Sequence, residues 1–536
     1  MNIMLTGITV ILFLAITAYL SYLGFKRTKN AADYLVAGRK THPLVMAISY
    51  GATFISTSAI VGFGGAAAVY GMGLLWLTFL NIFVGIFIAF VVFGKRTRRL
   101  GHALEAHTFP EILSKRYGSR FLQAASGLLV FVAMPLYAGS VVIGGAQFVA
   151  QSFQISYDVA LIFFVSVVAL YVIMGGLKGV MYADAFQGAL MFIGMAILLV
   201  AAYAKFGGVI KAHEALSSIA AQVPESMKKL GHQGWTAMPA GGSVYWWQLV
   251  STIVLGVGIG VLAQPQLAVR FMTVRSDREL NRAVLVGGVF ILMMTGVAFV
   301  VGALSNAWFF QNPAFGKIAI ASAGGKVENI IPLFITTAMP SWFSAVFMIT
   351  LLSAAMSTLS SQFHAMGTSF GRDFLEVGFK VHAKNATAVT RLAMIAGILV
   401  STFLAWGLPK FFETGSAIVA TGTAIFFGIC AAAFLPAYFS ALYWKRATRA
   451  GAIASFLGGL AVSAFWLVFI HAKEAVPLGI CKALFGVPTL AGSSILSQVD
   501  PIVISLPVSA LLMIVVSLAG KVSNEETKTL FETKKG

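Results

Sequence analysis

Residues 50–58 read Tyr50-Gly51-Ala52-Thr53-Phe54-Ile55-Ser56-Thr57-Ser58, and residues 256–265 crowd Gly256, Gly258, Gly260 and Pro265 into one short stretch. Both lie in otherwise apolar runs, 43–71 and 245–270, long enough to cross a bilayer. The first run also holds Gly62, Gly64 and Gly65. Glycine costs about 1 kcal/mol in a helix interior and proline about 3, so neither run is well built as a continuous helix. Counted along the chain they are the second and seventh spans, an odd offset, so they enter the membrane from opposite sides. Interrupted helices at matching places in two inverted halves point to a transporter's binding site. The competing explanation is that the glycines only permit close helix packing.

The rest of the chain supports the membrane reading. Its 536 residues are 59% hydrophobic and 10% charged, too little polar surface to cover a soluble core. Mean hydropathy is +0.89. Thirteen apolar runs are expected to span: 3–25, 43–71, 74–94, 121–150, 157–175, 180–204, 245–270, 283–309, 338–370, 388–407, 413–441, 450–471 and 500–520. A transmembrane barrel would instead show alternating segments of about ten residues. The fold class is therefore an all-α polytopic membrane protein. No low-complexity linker marks off a second domain, and the tail 521–536 is polar and charged.

A net charge of +19 could suggest nucleic acid, but its distribution says otherwise. With the N-terminus outside, 28 of the 37 Lys and Arg fall on the cytoplasmic side, as the positive-inside rule requires. The basic charge is topology, and no nucleic-acid partner is expected. The first run is followed, not preceded, by Lys26, Arg27 and Lys29, so it reads as a retained helix rather than a cleaved signal. The expected location is the plasma membrane, with a cytoplasmic C-terminus. The two cysteines, Cys430 and Cys481, read as mid-span and extracellular and suggest neither a disulfide nor a metal cluster. Intramembrane acids are too scarce for an enzyme's catalytic set, and no catalytic residue, cofactor or obligate protein partner is expected.

Two uncharged segments are dense in hydroxyls at membrane depth: residues 50–58, and Ser353, Ser357, Thr358, Ser360 and Ser361 on span nine. Hydroxyls and carbonyls freed by an unwound stretch near Ala52 can ligate a sodium ion without a fixed negative charge. Each hydroxyl alone is as readily explained by a bond back to its own helix. Asp184, at the expected cytoplasmic start of span six, is either a group on a cation path or a helix N-cap. Arg270 reads as part of the cytoplasmic charge belt. Gln147 follows Gly144 and Gly145 on span four and could line a cavity.

Several separated motifs resemble the sodium:solute symporter family over nearly the whole chain. They are Ala32 to Arg39, Tyr171 to Val180 with its double glycine, Gln264-Pro265-Gln266 followed by Val269 to Met272, and Ala354 to Thr358. One departure is Gly179, where a Ser, Ala or Pro is usual. The resemblance implies a LeuT-like core of 5+5 inverted repeats with helices 2 and 7 interrupted. The implied organisation is an N-terminal helix (1–30), a first repeat (31–205), an extracellular loop (206–244), a second repeat (245–445), helices 12 and 13 (446–520) and a cytoplasmic tail (521–536). It also implies sodium as coupling ion, held by the carbonyls of Ala52, Ile55 and Ala354 and the hydroxyls of Ser357 and Thr358. The matching acid, Asp184, would help sodium leave inward.

For the solute, the resemblance implies a cavity beside Ser56, Ser58, Ala59, Gln147, Val257 and Val261. Val257, Val261 and Phe54 depart from the proline branch, and Ala59 departs from the sugar carriers. Residues 51–58 and 143–146 are locally most similar to the pantothenate branch. The expected cargo is a small organic carboxylate, of pantothenate or monocarboxylate type, with proline, another amino acid or a sugar as alternatives. A channel or a transporter-derived sensor is a more remote reading.

Overall fold

The computed structural model describes residues 3–27, 31–379, 386–411 and 418–520, and all regular structure among them is helical. The expected tail 521–536 and the first residues of the run 413–441 lie outside the described residues. Eleven helical stretches are long and apolar enough to cross a membrane, against thirteen expected.

Two features account for the difference. The stretch Ser58–Ala103 contains a reversal at Gly71, whose φ of 75° suits glycine. Beyond the turn the chain comes back, so that the Gly85 carbonyl accepts a hydrogen bond from Tyr50. The second feature is the helix Tyr157–Lys205, which joins the runs expected at 157–175 and 180–204. Phe164 packs at Gly145, and Gly194 packs at Thr350. Phe148 and Phe347 touch with ring centroids 5.4 Å apart, which puts those two contacts at one depth. In a straight helix Phe164 and Gly194 would stand about 45 Å apart. The helix therefore turns back on itself, and its two arms are separate spans.

The connections sort into two ends. At one end Arg39 donates to the Ala106 carbonyl, Arg98 pairs with Asp277, Arg116 donates to the Trp444 carbonyl, and Lys178 pairs with Asp33. Arg372 pairs with Glu111 at this same basic end. At the other end Trp235 donates to the Ala68 carbonyl, and Tyr70 and Gln498 both bond Gln248. The segments that the charge count put on one side thus meet in space.

The two interrupted spans differ from expectation in where they break. Span two stops at Phe54, passes through extended backbone at Ile55 (φ −92°, ψ 110°) and resumes at Ser58. Span seven stays helical through Gly256, Gly258 and Gly260 and breaks at Gln264 (φ −77°, ψ 115°). Proline causes this break: Pro265 offers no N–H and drives its predecessor out of the helical region. The glycines serve packing instead. A Cβ on Gly260 would stand 2.6 Å from the Phe427 carbonyl oxygen, and one on Gly302 would stand 2.0 Å from that of Gly64. Close helix approach is the correct reading for these positions.

Beyond the spans, His471 pairs with Glu474 in a buried corner that also holds Asp500, whose amide donates to the Ser251 hydroxyl of span seven. Burial disfavours the His471 charge, but the charge and hydrogen bond of Glu474 and the charge of Asp500 outweigh burial and the opposing Lys473 and raise its pKa. Burial likewise pushes Asp500 up to about 6. A base with a raised folded pKa adds stability below its unfolded value near 6.5, and that stability is lost as pH rises through the folded value. The melting temperature of the purified protein should therefore fall from pH 6.5 to pH 9. His471→Gln should shrink that fall, and a variant with the wild-type slope would show that the pair contributes nothing.

Candidate functional site

A helix ending inside a protein leaves its last four carbonyls without intrahelical partners. At the end of Pro43–Phe54 the Ile55 amide donates to Gly51 at 2.8 Å, which leaves the carbonyls of Ala52, Thr53, Phe54 and Ile55 to find others. Span nine supplies them. Ser357 Oγ donates to the Ala52 carbonyl at 2.8 Å and also lies 3.3 Å from that of Ala354. Thr358 Oγ1 is 3.3 Å from the Ala52 oxygen, 3.1 Å from that of Thr53 and 3.5 Å from that of Ile55. The remaining carbonyl, of Phe54, is 3.4 Å from the Tyr137 hydroxyl.

All five groups expected to ligate sodium therefore converge, joined by the Thr53 carbonyl, which the sequence reading did not select. The cluster is buried and contains more acceptors than protons. Ser357 and Thr358 carry one hydroxyl hydrogen each, and four carbonyl oxygens compete for them. A small cation accepts every one of those lone pairs at once, so the donor set fits sodium.

Directly beside the cluster lies a buried ion pair. Arg270 Nη2 is 3.0 Å from Asp184 Oδ2, and both side chains are almost wholly inaccessible. Ser49 donates to Asp184 at 2.7 Å, and the guanidinium donates to Ser49, Thr53, Ser361 and the Gln266 carbonyl. Two expectations change here. Arg270 does not belong to the cytoplasmic charge belt, because a carboxylate and three hydroxyls hold it inside the bundle. Asp184 is not an N-cap, because it lies inside the arm Leu177–Lys205 and its carboxylate bonds the side chains of Ser49, Thr53 and Arg270 rather than a backbone amide. A cleft lined by His107, Phe109, Pro265, Arg270, Ser361 and His364 reaches this pair from the basic end.

The solute positions are brought together only in part. Ser56 bridges the break: its hydroxyl accepts from the Ser58 amide at 3.1 Å and lies 3.5 Å from the Tyr137 hydroxyl. Its carbonyl accepts from the amides of Ala59 and Ile60. The amides of Ser58, Ala59 and Ile60, the first of the outer half-helix, are thus engaged within the chain. Ser58 Oγ, by contrast, is buried with no hydrogen-bond partner. Val261 and Phe54 flank Gly85, and Phe54 stacks on Phe427 at 6.3 Å. Ala59 and Val257 are buried nearby along their spans. Gln147 bonds Asn329 through its side-chain amide, one helical turn beyond Gly144, which packs at Thr57. Tyr137 was missed, since nothing in its local sequence separates it from an ordinary packed aromatic.

An all-helical bundle with paired interrupted helices and an oxygen cluster at one break defines a secondary transporter. Residues 34–459 match the sodium:solute symporter family, and the chain belongs to that family. It is 27% identical over 502 residues to sodium/proline symporter 2 of Staphylococcus saprophyticus, covering 90% of this chain and 88% of the relative. It is also 27% identical to the sodium/proline symporter of Staphylococcus aureus, covering 93% and 92%. These relatives correct the local likeness to the pantothenate branch, which rested on two short stretches rather than the whole chain. The fold is that of a Na+-coupled sialic acid symporter solved in a substrate-bound outward-open state, with a TM-score of 0.72, 18% identity and coverage of 97% and 99%. The family is one of transporters, not enzymes, and sodium is its coupling ion.

Thr358→Ala should raise the sodium half-saturation of transport roughly ten- to hundred-fold. That is the worth of about 1.5–3 kcal/mol for one contact to a charged partner. Thr358→Ser should stay near wild type. Normal sodium dependence in the alanine variant, at normal abundance in the membrane, would remove Thr358 from the site.

Proposed function

We propose that the chain imports a small carboxylate-bearing solute by sodium-coupled alternating access. Sodium sits among the carbonyls of Ala52, Thr53, Ile55 and Ala354 and the hydroxyls of Ser357 and Thr358. The solute sits beside Ser56, Ser58, Ala59, Val257 and Val261. The observation that carries the reading is the surplus of buried carbonyl acceptors over hydroxyl protons at the break in span two.

The basic end is taken as cytoplasmic, with the N-terminus outside and the protein in the plasma membrane. Sodium leaves past Asp184 toward the cleft that Arg270, Ser361 and His364 line. The repeat boundaries proposed are residues 31–205 and 245–445.

For the solute, the half-helix beginning at Ser58 turns the positive end of its dipole toward the break, and the unpartnered Ser58 hydroxyl supplies a donor there. Together they suit a carboxylate without a buried lysine. Proline is the second reading, favoured by the names of the two staphylococcal relatives. Against it stand Phe54, Val257 and Val261, buried apolar side chains at positions where the proline branch differs.

Proteoliposomes loaded without sodium and diluted into it should accumulate a labelled short monocarboxylate, and a potassium gradient should not replace the sodium gradient. Competition then separates the cargo classes. Inhibition by proline alone would select the second reading, whereas inhibition by glucose and by no carboxylate would remove both.

A further inference from the structure

Asp184 is the carboxylate that hydrogen-bonds into the hydroxyl network beside the sodium cluster. Its Oδ2 is already surrounded: Arg270 at 3.0 Å, Ser49 at 2.7 Å and Thr53 at 3.4 Å. The same guanidinium nitrogen reaches Ser361 at 2.6 Å, and Ser361 donates to the Ser357 carbonyl at 3.0 Å. Thr53 connects the two sites directly, with its hydroxyl on Arg270 and its carbonyl on Thr358. One carboxylate with three converging hydroxyls is a donor set for a cation, and the cation at its centre belongs to the chain itself.

We propose that Arg270 is a built-in counter-cation. Its guanidinium permanently holds the position beside Asp184, so the carrier binds one sodium ion, and the net charge of the pair sets the affinity for that ion. The inference rests on the sodium site proposed above. An uncompensated charge of either sign at Asp184–Arg270 lies within about a helical turn of the sodium oxygens, in an interior where charges interact far more strongly than in water. Asp184 Oδ1 is buried and makes no hydrogen bond. Removing the guanidinium would therefore leave an uncompensated carboxylate, with Oδ1 unbonded and Oδ2 held only by Ser49 and Thr53.

The test is equilibrium binding of radioactive sodium to the purified full-length protein. Wild type should bind one sodium per chain along a hyperbolic curve. Asp184→Asn leaves the positive charge unopposed and should weaken binding about ten-fold or more. Arg270→Gln leaves the negative charge and should bind sodium more tightly, or bind a second ion. The double variant restores neutrality and should return to one sodium within about three-fold of wild-type affinity.

A purely structural role predicts a different order, in which both single variants lose affinity and the double recovers nothing. That order overturns the proposal, as do two sodium ions per wild-type chain. If Arg270→Gln does not fold, Asp184→Asn and the double variant decide alone: unchanged or tighter binding in Asp184→Asn refutes it. Failure of the site itself looks different, as absent saturable binding in wild type or binding that Thr358→Ala leaves untouched.

Discussion

A backbone carbonyl that leaves its helix inside a bilayer has no water to turn to, and leaving it unpaired costs several kcal/mol. The break at Ile55 creates such carbonyls at the centre of the bundle, and the rest of the structure answers to them. Span nine answers with Ser357 and Thr358, and span four answers with Tyr137. Tyr137 serves Phe54, and the two hydroxyl protons of Ser357 and Thr358 cannot satisfy the three carbonyls of Ala52, Thr53 and Ile55, so the packed helices leave an oxygen cluster short of donors.

The same constraint explains why a full ion pair is tolerated next door. Burying Asp184 or Arg270 alone would be prohibitive, and even paired charges gain only when their remaining donors and acceptors are met. Ser49, Thr53, Ser361 and the Gln266 carbonyl meet those of the guanidinium. Spans two, six, seven and nine thereby meet at one point between the oxygen cluster and the cleft at the basic end. A rearrangement that opens the cleft to the cluster has to pass through this contact. The close glycine contacts at Gly64–Gly302 and Gly260–Phe427 hold neighbouring helices at fixed separation around it.

Much of this was legible in the sequence, for reasons that differ by residue. Apolar length and charge asymmetry depend on local composition, so the spans and their two ends could be read directly. Pro265 marked a true break because its missing N–H acts within its own helix. The nearby glycines misled, since their purpose lies in helices far away along the chain. Hydroxyl density singled out both halves of the oxygen cluster, whereas the ligand set came from family resemblance. Arg270 was misplaced, and the two readings of Asp184 could not be separated, for one shared reason. Each sits in a sequence stretch that looks like a membrane edge, and only the packing of four helices reveals a shared buried partner.

The central claim is that the carbonyls freed at Ile55 exist to hold sodium. The most direct measurement is a pair of high-resolution cryo-EM maps of the protein in nanodiscs, one in sodium and one with sodium replaced by N-methyl-D-glucamine. The account predicts a sodium-dependent density among the oxygens of Ala52, Thr53, Ile55, Ala354, Ser357 and Thr358, with both hydroxyls turned away from the carbonyls. Identical maps, with Ser357 and Thr358 still bonded to those carbonyls in saturating sodium, would contradict it.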